Sequence, residues 1–359
     1  MKQLLALLIA VPLIAWANPD SAAWADPDLA TETAEVAPPP PPPPAPKKPA
    51  AFYTLPFHLR PISAGNVVRL DNVVAFYDAT DAVSKGANTG GSLKGIKQVS
   101  ILNAGYRIAK DFGVLARIGL SNNFPNKDHP NTPGTKLQNG YALTNGALLF
   151  SYTPQFVEGD IRTAFYLGAT IPIGSGGGSK GNPVARNANM NNLMVRSAMD
   201  NGMFIVNDMA IMAGAALAYV KHGLTLQGEL TYLEPMRVRA NKPDTGFYQT
   251  DVVKRNFMAG AFVGYAIIPQ LSAGVELRYQ LWLKPPHNIR NQRNSENPDV
   301  KAAGDKRMSN LTGALGLRGN FKVGEKTFFR PALSYGMGLA GEIGDQKYHL
   351  IQLDLPFIL

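Results

Sequence analysis

From Gly65 onward, apolar and polar residues alternate with period two rather than at helical spacing. Residues 271–283 are the clearest case: Leu271, Ala273, Val275, Leu277, Tyr279, Leu281 and Leu283 share one face, and Ser272, Gly274, Glu276, Arg278 and Gln280 the other. Residues 224–232 and 351–359 repeat the pattern. Side chains on alternate faces at every second residue mark strands with one apolar and one polar side. Followed to the C-terminus, the pattern predicts twelve strands, near residues 66–77, 96–108, 112–121, 140–152, 161–172, 208–219, 224–233, 252–267, 271–283, 309–321, 327–337 and 347–359. About 9 to 11 tilted residues cross a bilayer core, whereas ordinary strands have about 5 to 6, so these lengths favour a membrane barrel.

The connections alternate in length. Residues 78–95, 122–139, 173–207, 234–251 and 284–308 form long ones, residues 109–111, 220–223, 268–270 and 322–326 short ones, and 153–160 and 338–346 are intermediate. Even numbers of antiparallel strands, with short turns on one side and longer loops on the other, are the layout of a transmembrane β-barrel. An even count puts both ends of the barrel on the short-turn, periplasmic side. Tyr106, Phe112, Tyr152, Phe156, Tyr219, Tyr265, Phe321, Phe328 and Phe357 flank that end, where rings bridge an apolar slab and water. A soluble β-sandwich would expose a continuous apolar face to water on nearly every strand. A closed barrel in lipid pairs its backbone groups and keeps that face dry. The expected fold class is all-β: a transmembrane antiparallel up-and-down β-barrel of about twelve strands.

The chain ahead of the barrel is different material. Met1-Lys2, an apolar run over residues 4–15 and Ala15-Trp16-Ala17 have the charge, length and cleavage site of an export signal over residues 1–17. Residues 18–50 hold the proline run from Pro38 to Pro44 and no glycine, which favours an extended polyproline rod. All 35 glycines lie after residue 64. The expected organisation is therefore a signal peptide at 1–17, a proline-rich periplasmic linker at 18–50, a segment at 51–64 that leads into the barrel or plugs it, and the barrel over 65–359. Phe52, Tyr53, Leu55, Phe57, His58 and Arg60 give that short segment the bulk to fold into the periplasmic mouth.

Composition narrows the chemistry. Charged residues make up 17% of the 359 residues, with a net charge of +9 and no cysteine; soluble domains carry roughly 25% charged residues. Without cysteine there is no disulfide framework, thiolate metal site or Cys nucleophile. The histidines are His58, His129, His222, His287 and His349, and none stands in a strand beside an inward Ser, as a hydrolase nucleophile and base would require. No enzymatic activity and no cofactor are expected. Residues 174–181 fail the phosphate-loop pattern because Lys180 is followed by Gly181, and read as a flexible outer loop. Met190, Met194, Met199 and Met203 read as a short amphipathic helix or as soft packing over the mouth. Arg290 and Arg293, in Asn-rich surroundings, fit lipopolysaccharide phosphates better than nucleic acid.

The signal, the up-and-down strands and the last strand, Tyr348-His349-Leu350-Ile351-Gln352-Leu353-Asp354-Leu355-Pro356-Phe357-Ile358-Leu359, together resemble Gram-negative outer-membrane β-barrels of the porin and channel kind over residues 65–359. The resemblance implies the bacterial outer membrane as location and a C-terminal strand read by the barrel-insertion machinery. Such proteins often end in Phe; here Phe357 lies two residues early, on the same face as Leu359. Thr170-Ile171-Pro172-Ile173-Gly174 is similar to the Pro-Thr-Gly corner of hydrocarbon and aromatic-compound channels, with Ile173 in place of Thr.

If the apolar faces meet lipid, parity places Arg69, Arg107, Arg117, Arg162, Arg278, Arg318 and Arg330 in the lumen, with Asp71, Glu229, Glu276 and Asp354. Such a lumen favours anions or carboxylate-bearing solutes, by charge and by the guanidinium fork. Equally, these arginines can pair with lumen acids and fill the barrel, as Asp71 beside Arg69 and Glu276 beside Arg278 allow. Twelve strands lie between the roughly eight that side chains fill and the sixteen that leave an aqueous channel, so any pore is expected to be narrow. Two functions are compatible with this pattern: a channel or facilitator for passive passage of small anionic or amphipathic solutes, or a non-conducting structural, adhesion or assembly barrel acting through its outer loops and proline stalk. The expected partners are outer-membrane lipid and lipopolysaccharide, the insertion machinery, small solutes and, through the linker, peptidoglycan, with no nucleic acid.

Overall fold

The computed structural model describes residues 53–62, 65–79, 94–125, 138–157, 160–197, 199–239 and 254–359. The expected signal peptide and linker, Ala51, Phe52, Ser63, Ala64, Glu158, Gly159 and parts of four outer loops lie outside the described residues. Twelve barrel strands follow one another around a closed sheet: β1 Val67–Asp78, β2 Lys94–Ala109, β3 Phe112–Pro125, β4 in two pieces Gly140–Leu143 and Gly146–Tyr152, β5 Ile161–Ile171, β6 Asp208–Lys221, β7 Leu224–Arg237, β8 Arg255–Ile268, β9 Leu271–Lys284, β10 Ser309–Gly319, β11 Ala332–Gly341 and β12 His349–Ile358. Every neighbouring pair is antiparallel, and β1 closes the barrel on β12 with Val67 opposite Ile358 and Phe76 opposite His349. Closure removes the free edges that an open sheet would offer to other chains.

Period-two alternation gives each strand its two faces. Leu230, Leu277 and Leu315 point outward with 54%, 46% and 60% of their surface exposed, while Glu229, Glu276 and Ala314 beside them are buried inside. Lipid covers such an exterior without the cost that water would impose. At the short-turn end the rings stack: Phe112 lies 4.7 Å from Tyr152 and Phe329 4.6 Å from Phe357. The β6–β7 hairpin turns on His222 and Gly223, with φ of 50° and 82°; two left-handed residues in succession are what the right-handed twist of a tight hairpin requires.

Eleven strands lie where the alternation predicts them, to within a few residues. The eleventh is displaced. The alternation predicts it over 327–337, and it runs over Ala332–Gly341. Pro331 has no N–H to donate to a ladder, so the chain breaks there, and Phe328 and Phe329 pair instead with Ile358 and Phe357 at the end of β12. β4 is also interrupted. Thr144 N–H bonds the Gly119 carbonyl, but Asn145 N–H donates at 2.7 Å to Met203, a residue of the third outer loop. Three short helical turns belong to that loop: α1 Pro183–Asn191, a 3-10 turn Leu193–Arg196 and α2 Asn201–Phe204.

Candidate functional site

Among the described residues, two pieces of chain enter the lumen. From the short-turn end, residues 53–62 run in and return. The Tyr53 hydroxyl donates to Gln227 Oε1 at 2.6 Å and accepts the Ile62 N–H at 3.0 Å, which ties both ends of the excursion to one point. Phe57, Leu59 and Ile62 are each 1% exposed. A buried irregular stretch must find partners for its main chain, and charged wall side chains supply them. Phe57 N–H donates to Glu276 Oε2 at 2.8 Å, His58 N–H to Glu276 Oε1 at 3.1 Å, and Arg60 N–H to Glu229 Oε2 at 2.7 Å. In the other direction, Arg318 donates to the Leu55 and Pro56 carbonyls at 3.1 and 3.0 Å. The Phe57 carbonyl accepts from Arg69 at 2.5 Å and from Gln352 at 2.9 Å.

From the long-loop end, residues 172–207 fold inward. Leu193, Met194, Val195, Met199, Met203 and Phe204 are buried. Met194, Met199 and Met203 thus pack in the buried interior while Met190 is half-buried, and Ser197, at φ 56°, ends the 3-10 turn. The Asn145 amide donates to the Gly202, Ile205 and Asp208 carbonyls. Arg239 donates to those of Pro172, Gly174 and Gly177. The glycine-rich stretch, expected to be flexible, is held by Arg239 and by Arg186, which donates to Gly176 and Gly178.

The two pieces meet at one ion cluster. Asp200 accepts both Arg117 terminal nitrogens, at 2.6 and 2.9 Å, and Arg196 Nε at 3.0 Å. Arg60 of the segment is paired to Glu229 and comes within 3.9 Å of Asp200. Arg196 also reaches Asp71 at 2.5 Å. Burial alone would raise the Asp200 carboxyl, but Arg117 and Arg196 outweigh it and hold the group well below the usual carboxylate range. Nearby, Arg69 and Arg318 share Asp354 at 2.6 and 2.7 Å. The β1–β12 seam sets Asp71 directly opposite Asp354, a like-charge pairing that Arg196, Arg69 and Arg318 offset. A cavity of about 80 Å³ remains beside the cluster, lined among others by His58, Arg69, Asp71, Asn103 and Arg117. It has room for a few waters.

Of the residues that parity assigns to the lumen, Asp71, Arg117, Glu229, Glu276, Arg278, Arg318 and Asp354 are buried on the inner face and Arg69 is partly so. Arg162 and Arg330 are half-buried near the short-turn mouth, with Arg162 5.3 Å over the Tyr53 ring and Arg330 3.4 Å from the Tyr53 carbonyl. Arg107 differs: two residues from the end of β2, it stands exposed at the rim. Four residues central to the site escape the parity argument: Asn145, Arg196, Asp200 and Arg239. One signal for Asp200 was present, since it is the only acid between residues 172 and 207.

No protein-family model matches the sequence, and neither does any curated protein. Among solved structures, this barrel is similar to an outer membrane channel from Pseudomonas putida F1, with a TM-score of 0.51 and 11% identity over 86% of this chain and 100% of that one. The fold is that of an outer-membrane β-barrel. The NanC porin is less alike, with a TM-score of 0.43 and 7% identity over 81% of this chain and 100% of that one. The KdgM porin has a TM-score of 0.38 and 11% identity over 80% and 98%. At these identities the likeness is one of fold. An outer-membrane β-barrel of this kind spans the bacterial outer membrane, with its short turns and both barrel ends in the periplasm and its long loops outside.

Proposed function

We propose that the barrel is an outer-membrane channel for passive passage of small solutes, closed at rest by segment 53–62 and the third loop, with a lumen that favours anions and amphipathic acids. The observation that carries this reading is how the segment is held. Its main chain bonds to Glu276, Glu229, Arg318, Arg69 and Gln352 of the wall. A small barrel built for support alone fills its interior with wall side chains. Here the charged wall residues turn toward a length of chain that enters from the periplasm and can leave the same way. Once it leaves, the guanidiniums face the lumen, and their forks suit carboxylates. The Pseudomonas putida barrel of like fold is an outer membrane channel, which agrees with this reading.

The test uses planar-bilayer current of the full chain carrying Thr54→Cys and Thr225→Cys. Thr54 N lies 3.0 Å from Thr225 Oγ1, so the two positions are in direct contact, and the natural sequence has no cysteine to compete. The oxidised protein is expected to be silent and the reduced one, whose segment is free to leave, to open intermittently, with a reversal potential of chloride sign in a KCl gradient. Equal currents in both states would remove the segment from the gate. The filled lumen, with a cavity of about 80 Å³, also favours a second reading, a non-conducting barrel acting through its outer loops and proline stalk. Silence from a folded barrel lacking residues 53–62 would establish that alternative.

A further inference from the structure

The inner face of β8, β9 and β10 departs from the rest of the lumen wall. Strand register sets Arg278 between Gly260 and Thr312, Gln280 between Met258 and Asn310, and Trp282 opposite Asn256. A line of hydrogen bonds runs across this face. The Gln280 amide donates to Asn256 Oδ1 at 2.6 Å, the Asn310 amide to Gln280 Oε1 at 2.7 Å, and Ile343 N–H to Asn310 Oδ1 at 3.0 Å. Every bond in that line occupies a wall acceptor. What stays unmatched is a set of groups able to donate: Arg278 Nε and Nη1, Asn256 Nδ2, Trp282 Nε1 and the Thr312 hydroxyl. All four residues are at most 2% exposed. Arg278 Nε lies 3.3 Å from Glu276 Oε1 without hydrogen-bond alignment, and both Glu276 oxygens are taken by the Phe57 and His58 amides.

Buried donors are nearly always matched, because a desolvated donor without an acceptor is unfavourable. A wall that keeps several such groups on one face is complementary to a ligand that brings acceptors. The Arg278 and Trp282 rows are four residues apart, about 13 Å along a strand. The guanidinium fork at one end suits a carboxylate, and the amide, hydroxyl and indole donors suit the oxygens of a chain extending from it. In the closed barrel, segment 53–62 covers the lower end of this face: the Leu59 side chain occupies the space where a Cβ on Gly260 would point, with Leu59 Cδ2 2.2 Å from that position.

We propose that the inner face of β8–β10, from Arg278 and Thr312 to Asn256 and Trp282, is a binding track for carboxylate-bearing solutes, entered at its Arg278 end when segment 53–62 withdraws. This rests on the channel reading above. It adds where on the wall the solute is held and by which groups.

The test measures flux of gluconate and of sorbitol, matched in length and differing in charge, into liposomes holding the reduced double variant (Thr54→Cys with Thr225→Cys). The same protein is then compared with Thr312→Val, Trp282→Phe and Arg278→Gln added singly. A track requires the gluconate-to-sorbitol ratio to fall, by about tenfold for Arg278→Gln and less for the other two. It also requires Thr312→Val to raise the unfolding temperature, because it removes an unmatched donor at nearly constant volume, whereas Trp282→Phe also loses buried volume and is read by the ratio alone. Should Arg278→Gln fail to fold, these two variants carry the test alone. Higher stability with an unchanged ratio would overturn the track while leaving the channel. Failure of both solutes to cross the folded, reduced barrel would overturn the channel reading and the track with it.

Discussion

The two occupants of the lumen differ in the balance of side-chain and main-chain bonds that hold them. The third loop is anchored at the ion cluster by its own side chains, while Asn145 and Arg239 hold its carbonyls. Its apolar residues are buried, and Asp200 ties it to Arg117 on the wall. Segment 53–62 buries its side chains as well, and Tyr53 and Arg60 add side-chain bonds to Gln227 and Glu229, but most of its polar fastening is through main-chain amides and carbonyls. A loop held by its own side chains belongs to the core, and removing one of them damages the fold. A stretch held by its backbone sits on the wall as a ligand would, and weakening one wall residue loosens it without unfolding the barrel.

The largest expected effect is therefore on the loop. Asp200→Ala leaves Arg117 and Arg196 buried without their shared carboxylate, and breaking such a pair costs about 3–5 kcal/mol. The heat-modifiability of the barrel in dodecyl sulfate should shift to markedly lower temperature; an unchanged transition would mean that the loop is not part of the core. Next comes Glu276→Gln, which keeps the shape but puts an NH2 group in place of one of the two oxygens that accept segment amides. The loss is about 1 kcal/mol, so labelling of a cysteine at position 54 by a membrane-impermeant maleimide should speed up about fivefold with little change in unfolding temperature. A loss of stability as large as that of Asp200→Ala would erase the distinction between the two occupants. The smallest expected effect is that of acid. A carboxyl depressed in the fold contributes stability that is present above its unfolded value, about 3.9, and lost only as pH falls through the lower folded value. Because Asp200 is depressed, the loop anchor should survive titration down through about pH 4. Its release in that range, seen as a rise in conductance of the otherwise closed channel, would show that Arg117 and Arg196 do not control this group.

How much of this was legible in the sequence follows from what enforces each part. Lipid outside and a polar lumen inside impose strict period two, so Leu277, Arg278 and Tyr279 declare their sides without any three-dimensional information. Pro331 was visible, but its effect was not: the alternation carries through it, and only the missing N–H displaces β11. The ion cluster was half legible. Asp71, Arg69, Arg117 and Asp354 sit on strands whose parity fixes them. Arg196 and Asp200 lie on a loop, where no period applies and partners are chosen by tertiary packing. Arg60 stood out only as bulk near the mouth; its link to Glu229 spans 169 residues of sequence, and nothing local encodes that pairing.

Because segment 53–62 goes in and out by one mouth, it responds to tension in a particular order. Load applied to the chain on the N-terminal side of Tyr53 falls first on Arg330 and Gln227 at Tyr53 and on Thr225 at the Thr54 amide. It then falls on Arg318 at Leu55 and Pro56, next on Glu276, Arg69 and Gln352 at Phe57, and last on Glu229 at Arg60. The bonds are peeled in series, as a zip opens, and not sheared together. The force required is that of the strongest single step rather than of the whole set. The barrel is spared, because beyond the segment β1 is laced on both edges, Val67 lying opposite Gly105 on one side and Ile358 on the other.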